Sequence, residues 1–125
     1  MAARVATAAG VKIKRVYDAA EEGDGYRVLI DRVWPRGLSR QRAGVHEWAR
    51  ELAPSTELRR WFAHEPSRFP EFRARYRVEL DAQRARIEEL RERAQREPLT
   101  ILYGARDREH NNAVVLAELL REGPA

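Results

Sequence analysis

The stretch DRVWPRG, residues 31–37, sets two arginines, an acid and a tryptophan around a proline and a glycine. Its guanidinium groups, Arg32 and Arg36, offer the planar paired donors that grip phosphate or carboxylate. Pro35 removes a backbone donor and drives Trp34 toward an extended backbone, and Gly37 admits a backbone shape that other residues resist. A rigid turn carrying two arginines, an acid (Asp31) and a flat aromatic suits an anion pocket. The same residues also suit a structural knot, in which Asp31 pairs with an arginine and Trp34 plugs the core beneath the loop, because structural ion pairs use the same groups. The nearby Arg40 and Arg42 are expected to be solvated.

A second cluster is GARDREHNN, residues 104–112. A glycine between a strand and a helix lets backbone N–H groups face an anion at the helix start. Neither G-x-x-x-x-G-K-[ST] nor G-x-G-x-x-G is present, so this is not a P-loop or a dinucleotide fingerprint. Arg106 is a candidate anion contact, Tyr103 or Trp34 a candidate flat surface, and Asp107 reads as the cap of the helix that follows. His46, His64 and His110 form no H-x-x-x-H or H-E-x-x-H pair, so no zinc site is expected, and no other metal or cofactor either. His110 would serve as an acid or base if it faced the strand ends; a solvent-exposed histidine at a helix start is the plainer reading. Asp18 and Asp31 end neighbouring predicted strands, and paired carboxylates are a catalytic device. A salt bridge of Asp31 with Arg32 is the simpler account. Ser39, Ser55 and Ser67 have neither a G-x-S-x-G elbow nor an obvious base.

These groups must be carried by elements that bring them together. VKIKRVYD (11–18) and YRVLIDRVW (26–34) read as strands, the second with a Val28-Leu29-Ile30 run suited to burial on both faces. Residues 45–53 read as a short helix or an irregular segment. Residues 54–66 read as a short helix capped by Ser55, with Leu58, Trp61 and Phe62 on one face. From Pro70 to Arg96 the positions Phe72, Tyr76, Leu80, Gln83, Ile87, Leu90 and Ala94 recur three or four apart, which predicts one long amphipathic helix with Pro98 beyond its end. Glu89 with Arg93 and Glu92 with Arg96 are expected to pair along it. LTILYGARD (99–107) holds a third strand ending in Gly104, and 108–123 reads as a final helix stopped by Gly123 and Pro124. Strands separated by helical material imply parallel crossovers, hence a small three-layer Rossmann-like α/β fold with a short, mainly parallel sheet. Such sheets bind ligands at the carboxyl ends of their strands, and the unusual residues fall at all three predicted ends.

Composition bounds the rest. With 125 residues and 43% hydrophobic content the chain suits a single domain, placed at 11–125 behind a flexible tail at 1–10. No apolar run approaches the length of a membrane span, and no secretory signal is evident, so a cytoplasmic location and no membrane partner are expected. The absence of cysteine removes disulfides, thiolate metal sites and any thiol nucleophile. The net charge of +4 resides in the first fifty residues, which carry ten basic and six acidic groups. That surplus attracts anions locally without making a strong nucleic-acid footprint, so a nucleic-acid partner has only weak support.

The motifs KRVYD, DGYRVLIDRVWPRG, LAPSTELRRWF, F-x-x-F-x-x-x-Y-x-x-EL and LTILYGARD-x-x-HNNA follow one another over residues 11–121. In this they resemble the YeaO-like branch of the bacterial family called domain of unknown function 488. The resemblance implies a Rossmann-type three-layer fold akin to rhodanese and phosphatase domains, and Asn111 is the polar residue it carries over as a ligand contact. In the family's larger branch a cysteine stands near the last strand. Here that place holds Tyr103, Gly104 and Ala105, which puts thiol transfer and cysteine-phosphatase chemistry out of reach. Two functions are therefore weighed. One is a small-ligand domain in which Asp31, Arg32, Trp34, Arg36, Tyr103, Arg106 and Asn111 surround a phosphate-bearing anion, with or without a reaction. The other is a non-catalytic interaction module for protein or nucleic acid, as monomer or homodimer.

Overall fold

A computed structural model of the chain describes residues 10–123. The tail expected at 1–10 lies, but for Gly10, outside the described residues, as does Pro124. Four strands, β1 (Val11–Arg15), β2 (Tyr26–Leu29), β3 (Glu47–Trp48) and β4 (Leu99–Tyr103), form one sheet in the order β1-β4-β2-β3. Every pairing is parallel. The β4 strand lies in the middle and is buried along its whole length, as a central parallel strand covered on both faces must be. The β3 strand was not foreseen. Two residues carry no readable period, and only pairing with Val28 and Leu29 extends them.

The helices are α1 (Arg40–Ala43), α2 (Thr56–Phe62), α3 (Phe69–Asp81), α4 (Arg84–Arg96) and α5 (Asn112–Glu122). The single long helix expected at 70–96 is two. The amide groups of Ala82 and Gln83 bond back to Glu79 and Leu80, closing α3 with short-range turns, and the Gln83 carbonyl then starts α4 by accepting from Ile87. The apolar period runs through the break because Leu80 and Ile87 enter the same core, so the pattern hides the interruption. The ion pairs differ as well. Arg86 gathers Glu47, Glu51 and Glu89, while Arg93 lies over the Tyr26 ring and takes Glu97. Glu89, expected to meet Arg93, instead joins Arg86, which also reaches Glu47 of β3.

Helices α2 to α5 pack on one face of the sheet, where Val28, Ile30, Leu99 and Ile101 meet Phe62, Phe72, Tyr76, Leu90 and Leu116. The other face has a thin cover of α1 and connecting loops, with Val16, Leu29, Ala43 and Leu102 at its centre and Trp34 and Trp48 beside them. Next to this small core lies Asp24, 0% exposed. Its carboxylate pairs with Arg27, Lys14 and Lys12, and Arg27 also donates to the Ala43 and Gly44 carbonyls. The two lysines of an otherwise arginine-based chain thus meet at one acid. Among the described residues no helix is long and apolar enough to cross a membrane.

Candidate functional site

The chain leaves β2 into a loop that is tied at each step. The Asn112 side-chain amide donates to the Ile30 carbonyl, and the Trp48 indole donates to the Asp31 carbonyl. Trp34 donates its indole N–H to the Leu38 carbonyl, and the Tyr17 hydroxyl donates to the Arg36 carbonyl. Gly37 takes a φ of +71°, the left-handed conformation that glycine adopts without strain. Trp34 meets Trp48 edge-on at 5.3 Å and packs into the small core, so it plugs the fold and lines a cavity at once. Arg40 is exposed, as expected, and its guanidinium lies over both indoles.

That cavity, about 570 Å³, opens at the carboxyl ends of the strands. The loop after β2 brings Asp31, Arg32 and Arg36 to it, α2 brings Arg59 and Arg60, and the segment leading into α5 brings His110. Of the four guanidinium groups only that of Arg32 is hydrogen-bonded to protein among the described residues, to the Pro54 carbonyl at 3.3 Å. No ion pair among the described residues involves any of them, and the expected Asp31–Arg32 bridge does not form. The arginines of α3 and α4 are the opposite case: all but Arg96 pair with carboxylates.

Asp31 is the acid of the cavity. Its Oδ2 accepts the Gly104 N–H at 2.9 Å and its Oδ1 the Asn112 side-chain amide at 3.1 Å. A side chain at position 104 would set its Cβ 2.8 Å from that Oδ2, so the approach requires glycine. Burial pushes the Asp31 carboxyl up from its ordinary range, against the opposing effect of its two hydrogen bonds and of the nearby Arg59 and His64. Asp18 does not join it; both its oxygens pair with Arg108, at 2.9 and 3.0 Å.

Of the residues expected at the site, Asp31, Arg32, Trp34, Arg36 and Asn111 line the cavity. Tyr103 is 1% exposed and belongs to the large core, and Arg106 is exposed outside the lining. Asn111 is committed to the fold as the N-cap of α5: its Oδ1 accepts from Val114 and its amide donates to the Asp107 carbonyl. Asp107, expected as that cap, instead takes the N–H groups of Glu109 and His110 and the His110 ring. It lies too far before the helix start to do both. His110 is half-buried, edge-on to Phe69 at 5.2 Å.

Arg59, Arg60, His64 and Asn112 were not among the residues expected there. Arg59 and Arg60 lie within LRRWF, where the pattern marks only Leu58, Trp61 and Phe62 as inward; that α2 lies beside the strand ends is a tertiary fact. Ala63 and His64 have φ of +49° and +56°, consecutive left-handed residues without glycine, and both line the cavity. Such strain gathers where a side chain has to be aimed. Among the described residues no three His, Asp or Glu side chains come together as a metal site.

A family model described as the inactive DUF488-N3 subclade matches residues 10–124. The uncharacterised protein YeaO of Escherichia coli (strain K12) is 44% identical over 111 residues, spanning 89% of this chain and 96% of the relative. An uncharacterised protein of Mycobacterium tuberculosis (strain ATCC 25618 / H37Rv) is 42% identical over 110 residues, spanning 88% of this chain and 92% of the relative. No solved structure matches the chain. With its motifs in order along nearly the whole length and no cysteine at any position, the chain belongs to the inactive DUF488-N3 subclade.

Proposed function

We propose that this protein binds a small phosphate-bearing anion in the cavity at the strand ends, without thiol chemistry. One observation carries the reading: four arginines converge on a cavity lined by a single acid, and none of them is ion-paired among the described residues. Unpaired guanidinium groups gathered at one concavity repel one another and gain from a shared anion. A volume of about 570 Å³ suits a phosphorylated metabolite, and pockets of small ligands span roughly 300–1,000 Å³. The nucleic-acid alternative fits less well. A backbone-tracking surface needs free cations along a stripe, whereas α3 and α4 spend theirs on neighbouring carboxylates.

The test is thermal stability of the wild type and Arg36→Ala against phosphate, sulfate, phosphate esters and short oligonucleotides. A ligand at 100 times its dissociation constant adds about 2.7 kcal/mol, which raises Tm by about 10 °C for a chain of this size. Stabilisation of the wild type by phosphate esters, weakened in Arg36→Ala, is the expected result. A flat response to every anion would overturn the reading.

A further inference from the structure

The four arginines leave the one acid of the lining, Asp31, without a role. An acid in a pocket for anions opposes the ligand by charge alone, so its presence there needs a compensating contact. The structure fixes this side chain carefully. The Gly104 N–H and the Asn112 amide hold its two oxygens, the Trp48 indole holds its carbonyl, and glycine at 104 leaves the space it occupies. A carboxylate accepts about four hydrogen bonds. Two come from the protein, and none of the four cavity arginines forms an ion pair with it. The remaining acceptor capacity belongs to a preorganised group at the cavity wall.

Resting on the anion reading, we propose that Asp31 accepts a hydrogen bond from a hydroxyl group of the ligand. The cavity then selects phosphate monoesters of polyhydroxylated compounds, the class that includes sugar phosphates and nucleoside monophosphates, over inorganic phosphate and alkyl phosphates. A hydroxyl is favoured over an ammonium donor because the same wall carries Arg32, Arg36, Arg59 and Arg60, whose field disfavours a second cation. Inorganic phosphate fills too little of about 570 Å³ to reach the arginines and Asp31 together.

The experiment is calorimetric titration of ribose 5-phosphate, pentyl phosphate and inorganic phosphate into the wild type, Asp31→Ala and Arg59→Ala. The wild type is expected to bind ribose 5-phosphate about tenfold or more tightly than pentyl phosphate, the scale of a hydrogen bond to a charged group. Asp31→Ala should bring the two within about twofold while pentyl phosphate binds as well as before or better. Equal binding of the two esters by the wild type, both weakened in Arg59→Ala, overturns the role of Asp31 and leaves the anion site standing. Binding of neither ester by the wild type overturns both. The wild-type comparison decides the matter even if Asp31→Ala does not fold.

Discussion

Replacing Asp24 by Asn keeps the shape of the buried side chain and removes its charge. Asp24 is 0% exposed and pairs with Arg27 at 2.5 Å, Lys14 at 3.1 Å and Lys12 at 3.3 Å. The three cations do not suffer equally. Lys12 is 44% exposed and returns to water, and Lys14 keeps Glu21 and the Ala19 carbonyl. Arg27 is buried, with only the Ala43 and Gly44 carbonyls left to it. Breaking a buried pair costs about 3–5 kcal/mol, and with two of three cations able to relax the lower end applies, about 3 kcal/mol. Denaturant unfolding at pH 7 reads this directly. The pH dependence is a second check. Burial alone would raise the Asp24 carboxyl, but hydrogen bonds from the Glu21 N–H, Lys14, Arg27 and Lys12 prevail and lower it from 3.8 to about 2. A carboxyl depressed by folding contributes stability that is fully present above its unfolded value and disappears as pH falls through its folded value. The wild type should therefore lose stability between about pH 4 and pH 2, and Asp24→Asn should lack that part of the slope. A loss below about 1 kcal/mol at pH 7, together with an unchanged acid limb, would refute the view that this network ties the thin face of the sheet together.

Three further outcomes follow from the site. Gly104→Ala forces a Cβ to 2.8 Å from the Asp31 carboxylate and should cost about 1–3 kcal/mol in urea unfolding, with weaker binding of phosphate esters. Asp31 has the opposite linkage to Asp24: burial raises its folded value, so stability falls as pH rises from 3.8 through that value, and Asp31→Asn should remove this fall in stability measured against pH. Ala63→Gly relieves a left-handed backbone at φ +49° and should stabilise the protein by about 0.5–1 kcal/mol, read as a higher urea midpoint.

How much of this was legible in the sequence depended on the range of the forces involved. The strands β1, β2 and β4 and the Ser55-capped α2 were readable because local patterns and capping chemistry determine them. The break at Ala82 and Gln83 was not, because the apolar period runs through it undisturbed. The β3 strand was hidden for the reverse reason: two residues are too few for a pattern, and Val28 and Leu29 define them from a distance. At the site, Pro35, Gly37 and the paired arginines announced a shaped loop. Arg59 and Arg60 were silent because their relevance comes from where α2 packs. Asn111 and Asn112 are adjacent, yet one caps α5 while the other reaches back across 81 residues to Asp31. Only the tertiary structure assigns which does which.

The most direct test of the anion site is residue-resolved mapping by NMR, titrating ribose 5-phosphate into isotopically labelled wild type and Arg59→Ala. The expected result is a saturable response concentrated at the amides of Arg36, Arg59, His64 and Gly104, which lie around one cavity, and its loss or marked weakening in Arg59→Ala. Shifts that do not saturate, or that scatter over exposed arginines remote from the cavity such as Arg42 and Arg96, would contradict the claim that this pocket is built for an anion.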